Sequence, residues 1–170
     1  ERLARKRDEK QPPTIRFVVY AVALAGDLYF IDWLIALMQD PLYARLAGEA
    51  FALITGADLA LLDLEQKPPA ETPAGPTDAS NEDEVAFDDD EGMAWPDAAR
   101  VQAWWQSHKA GFAAEARYFV GTTPNVAHCQ HVLRESRQRR RWVAALHLAL
   151  LAPGSPLFNA AARAGLTVLV

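Results

Sequence analysis

His128-Cys129-Gln130-His131 is the segment whose residue types come nearest to a reactive centre. Two histidines at i and i+3 share one side of a helix and could together hold a zinc or copper ion. A tetrahedral site needs two more ligands. Cys129 points to a different side of the helix, so His108 or His147 would have to arrive from other helices. The reading preferred from sequence is therefore structural: no metal site and no cofactor. The same segment sets a thiol beside an imidazole, but nucleophile and base normally meet in space from separate elements. No Gly-rich turn stands beside Cys129 to supply oxyanion donors. Cys129 is expected as a small buried residue, and no catalytic residue is assigned.

Arg134, Arg137, Arg139, Arg140 and Arg141 form the one basic concentration. On a helix Arg134, Arg137 and Arg141 fall in one stripe, which could meet phosphates or a protein partner. A nearer partner is the acidic stretch Asp78–Glu91, with eight carboxylates and no Lys or Arg. Internal or solvent pairing is the preferred expectation. Within that stretch Asp88-Asp89-Asp90-Glu91-Gly92 lacks the alternating ligands of an EF-hand loop, so a solvated acidic loop is expected rather than a calcium site. The five tryptophans are dense for 170 residues. Helical spacing predicts most of them in the core. Trp104 and Trp105 are adjacent and cannot face the same interior, so one is expected at the surface as an anchor for a partner.

These groups sit on a chain that is 51% apolar, with a net charge of −5. That size carries an ordinary core, and the modest charge argues against a general nucleic-acid binder. A lone cysteine leaves no internal disulfide and fits a reducing compartment. No apolar run reaches the roughly 18 residues that span a bilayer, so a cytoplasmic protein is expected. The chain starts at Glu1 rather than Met, which suggests a piece of a longer product.

The elements follow from breaks and periodicity. Residues 1–13 read as the charged tail of an upstream element. Thr14 caps a helix to about Ala25. Leu28–Met38 is a second helix, apolar almost all round and so expected between two neighbours. Asp40-Pro41 starts a third helix, in which Leu42, Leu46, Ala50 and Ile54 form a stripe, Arg45 and Glu49 pair on the outside, and Gly56 stops the last turn. Gly48 predicts a close helix–helix approach. A short turn, Leu59–Leu64, completes a block at 14–66. Residues 67–94 form an acidic, Pro-rich linker, with Val85 and Phe87 tacking it down. From 95 to 170 a second helical block begins at Trp95-Pro96-Asp97. Thr122-Thr123-Pro124 and Ser136 are its further helix starts, and Trp142, Leu146 and Leu150 are expected as the core stripe of its last helix.

Three groups of residues carry a family resemblance. The first is the pair of breaks Gly26-Asp27 and Asp40-Pro41, followed by Ala44-Arg-Leu-Ala-Gly-Glu-Ala-Phe-Ala-Leu-Ile-Thr-Gly-Ala-Asp-Leu59. The second is Asp90-Glu91-Gly92-Met93-Ala94-Trp95-Pro96-Asp97, and the third is Arg134–Gly154 with Arg137-Gln138-Arg139. Together they resemble the C-terminal part of an uncharacterised proteobacterial family of HEAT-like repeat proteins, over about Ile15–Phe158. Some members lie near type VI secretion genes. The resemblance implies stacked helices and supplies no catalytic residues.

The sequence thus predicts an all-α protein: a HEAT-like helical repeat block, an acidic loop, and a second helical block that caps it. The expected function is non-enzymatic protein binding, as a scaffold, adaptor or immunity-type component associated with type VI secretion. Its contacts would come from Trp104, Trp105, Arg137 and Arg141. Two alternatives stand behind it: nucleic-acid binding through the arginine stripe, and a metal-dependent enzyme built on His128 and His131.

Overall fold

A computed structural model describes residues 13–69, 88–154 and 160. They form six α-helices: α1 (Pro13–Ala25), α2 (Ile31–Leu37), α3 (Ala44–Thr55), α4 (Ala98–His108), α5 (Val126–Glu135) and α6 (Gln138–Leu151). The protein is all-α, and no strand occurs among the described residues. No helix among the described residues is long and apolar enough to cross a membrane. Val85 and Phe87 lie outside the described residues.

α3 is the centre. Ten of its 12 residues are buried, so it must be covered on more than one side. α1 and α2 pack on it, bringing Val19, Val22, Ile31, Leu34 and Ile35 to the core. α4 approaches with Trp104 and Trp105, whose rings meet Phe51 edge-on at 5.8 and 6.4 Å. α5 and α6 pack on each other. Their Cys129, Val132, Leu133, Val143, Ala144 and Ala145 belong to the same apolar cluster as Phe51.

Local chemistry explains the ends of these helices. Gly56 stops α3 in the left-handed region, φ +76°, with its N–H on Ala52 O. Leu53 O and Ile54 O, carbonyls that α3 itself cannot satisfy, accept from Val120 N and Gly121 N of a tight turn at 119–122. That turn leaves no room at Gly56, where a Cβ would stand 2.8 Å from the Val120 carbonyl carbon. Asp97 caps α4 through Ala99 N and Arg100 N. The segment before α4 zips onto the one after α3: Gln66 N donates to Trp95 O, and Asp97 N to Leu64 O, both at 2.8 Å.

Several expectations change. The second helix begins as a 3-10 turn, Leu28–Phe30, becomes α-helical at Ile31, and buries only one side. Tyr29 and Trp33 remain exposed. Asp40 caps a turn through Leu42 N rather than the helix itself, and α3 starts at Ala44. Gly48 is approached by Pro96 and Leu59, not by a helix. Asn125, not Thr122 or Thr123, caps α5. Ser136 ends α5, and Arg137 precedes α6 without a side-chain cap.

The largest change concerns α6. Trp142 and Leu150 are 57% and 68% exposed. The helix turns Val143, Ala144, Ala145 and His147 inward instead. Both arcs are apolar, so periodicity alone cannot choose between them. The arc with small side chains lets α6 close on α5.

Candidate functional site

The four histidines do not converge. His128 on α5 is half-buried, with Nε2 2.8 Å from Phe119 O, whereas His131 is exposed. His108 stacks on Trp104 with ring centroids 4.3 Å apart. His147 on α6 is 8% exposed and lies 4.7 Å, ring to ring, from Phe119. Its Nε2 has no hydrogen-bond partner among the described residues. Burial, and then the neighbouring His128, hold its pKa below the ordinary imidazole value. Among the described residues no three His, Cys, Asp or Glu side chains are placed to share a metal ion. Cys129 is fully buried, and burial pushes its thiol pKa up. That keeps it protonated and poorly nucleophilic.

The acidic turn is held by arginines other than those expected. Asp90, 5% exposed, receives both terminal nitrogens of Arg16 from α1. Arg45 forks onto the Asp88 carboxylate at 2.7 and 2.8 Å, reaches Asp90 O, and lies over the Trp95 ring at 5.0 Å. The hydrogen bonds from Arg45 hold the Asp88 carboxyl below its usual pKa, while those to Asp90 raise that of Arg16. The expected outward pair of Arg45 and Glu49 does not form. Asp88, Asp89 and Glu91 of this turn are exposed, as expected of a solvated loop, but Asp90 is buried, and two guanidinium groups occupy the Asp88 and Asp90 oxygens. From the basic cluster Arg139 reaches the turn, donating to Glu91 O.

The expected contact residues have different environments. Trp105 is buried against Phe51 and Phe112, and Trp104 is half-buried between Phe51 and His108. Arg141 is 7% exposed, donating to Leu133 O and Gln138 Oε1. It ties α5 to α6 and is withdrawn from the arginine stripe. Arg137 is exposed.

Exposed apolar side chains and a charged cleft are open instead. α1 turns Phe17, Val18 and Tyr20 outward, with Phe17 71% exposed. α6 exposes Trp142 near its start and Leu150 and Leu151 at its end. A cleft of about 610 Å³ lies between α3 with its following turn and the start of α6. Its charged lining is Glu49, Asp58, Glu135, Arg137, Arg139 and Arg140. The α6 face is visible in the sequence only as one of two competing arcs. The cleft brings together residues up to about ninety positions apart and leaves no local signal.

Compared with known protein families, with curated proteins and with solved structures, the chain has no match in any of the three.

Proposed function

We propose that the protein is a non-enzymatic, HEAT-like helical module that binds another protein, as a scaffold, adaptor or immunity-type component. The observation that carries this reading is Trp142, 57% exposed on α6 beside a basic helix start, with Leu150 exposed two turns further along. Large apolar side chains left in solvent mark partner surfaces when they group together, and Trp is among the residues most often dominating binding energy. Arg137, exposed near the same helix start, supplies a charged neighbour. Bacterial type VI secretion is the setting that the family resemblance suggests.

The test is an affinity pull-down from a lysate of the source cells, read by mass spectrometry, with wild-type protein beside Trp142→Ser and Arg137→Glu. Truncating a dominant Trp costs about 2 kcal/mol or more, which is at least roughly 30-fold in affinity. One protein recovered by the wild type and lost with Trp142→Ser supports the reading. Equal recovery by both removes α6 from the contact. Trp142 is exposed, so circular dichroism of the variant should match the wild type.

A further inference from the structure

Elsewhere on this surface arginines find carboxylates: Arg16 pairs with Asp90, Arg45 with Asp88, Arg100 with Asp63 and Arg117 with Asp27. The cleft is the exception. Glu49 and Asp58 come from α3 and the turn after it, and Arg137, Arg139 and Arg140 from the start of α6, with Glu135 beside them. Among the described residues no ion pair forms between any of these six. An acidic side and a basic side thus line one space without closing on each other. Most of the uncharged lining is small, with Ala52, Ala57, Ala60, Gly92 and Ala94 beside Leu59, Ser136 and Gln138. A peptide backbone could approach such a lining closely.

We propose that this cleft binds an extended peptide segment of a partner protein in which acidic and basic residues alternate. Its acids would meet Arg137 and Arg140, and its bases Glu49 and Asp58. In an extended strand successive side chains point to opposite sides. Alternation therefore sends every acid one way and every base the other, which matches the two sides of the cleft. A purely acidic ligand meets Glu49, Asp58 and Glu135, a purely basic one meets three guanidinium groups, and like-charge contacts of that kind select against wrong partners. The volume is within the range of known ligand sites. The proposal rests on the reading of the protein as a protein-binding module, but uses residues distinct from the outer face of α6.

Fluorescence anisotropy at low salt, where exposed charges are least screened, tests it on the full chain. The probes are three labelled peptides of equal length: alternating Glu and Lys, the same composition in two blocks, and Glu alone. Binding of the alternating peptide, with the other two about tenfold weaker, is expected. Arg140→Glu and Glu49→Lys should each weaken it about tenfold. Inverting both sides in one combined variant, Arg137→Glu and Arg140→Glu with Glu49→Lys and Asp58→Lys, should recover most of the loss, because the inverted sides still match an alternating strand. No binding, equal binding of the block or Glu-only peptide, or no recovery in the combined variant would overturn the proposal. Trp142→Ser should leave the anisotropy unchanged. Loss of the cleft and loss of the α6 contact are thereby read separately.

Discussion

His147 stands on α6 with an Nε2 that has no hydrogen-bond partner among the described residues. Its ionisable neighbour is His128 on α5, and the Phe119 ring packs against it. Its folded pKa lies below the unfolded value of about 6.5. Above about pH 6.5 the ring is neutral in both states and stability is independent of this group. As pH falls below that, the unfolded chain takes up the proton first, and stability declines until the folded pKa is passed. Urea midpoints at pH 7.5 and pH 5 should therefore fall with acid in the wild type. His147→Leu should flatten that fall, and a slope unchanged by the substitution would assign it to other groups. Asp88 acts in a separate, more acidic window. Its depressed pKa contributes stability above the ordinary value of 3.8, lost as pH falls through the folded pKa. The burial of Cys129 was legible in the sequence because small apolar-like residues on a helix are normally core. The unsatisfied nitrogen of His147 was not, since it depends on which arc of α6 turns inward.

At the scale of elements, the stop at Gly56 was legible because a glycine acts through its own backbone, so its effect is local. Asp40, Thr122 or Thr123, and Ser136 were expected as helix caps and are not, because several polar residues near each break compete for the role. Gly56 also meets the 119–122 turn. Gly56→Ala combines a left-handed φ with a Cβ 2.8 Å from backbone. It should destabilise by about 2 kcal/mol or more. Gly111→Ala is its control, because a Cβ there meets nothing within 4 Å. That change should stay within about 0.5 kcal/mol. Chemical denaturation of the pair measures the difference, and equal midpoints would mean that the 119–122 turn yields without cost. The facing of α6 illustrates the opposite case. Trp142-Leu146-Leu150 and Val143-Ala144-His147 are both plausible inner arcs, and only the shape of α5 selects the second.

Across the whole molecule, the turn at 88–91 joins three helices that are remote in sequence. Arg16 and Asp90 are 74 residues apart, and no pattern within either segment announces the other. Arg16 of α1, Arg45 of α3 and Arg139 of α6 all end on this turn. Asp90→Ala strands the Arg16 guanidinium, whose side chain is 14% exposed. Breaking a buried pair by removing one partner costs about 3 kcal/mol. The loss should appear in thermal unfolding, and Arg16→Met with Asp90→Leu should recover part of it. No loss for Asp90→Ala would mean that Arg45 and Arg139 suffice to hold the turn.

The zipper of residues 64–66 with 95–97 and the grip of Arg45 on Asp88 have a further effect. Both ends of the stretch between Pro69 and Asp88 are anchored by the helical body, independently of what that stretch contains. Doubling the length of a loop whose ends are already fixed adds only about 0.6 kcal/mol of closure entropy. The body should therefore accept a foreign sequence, even a whole inserted domain, at that place.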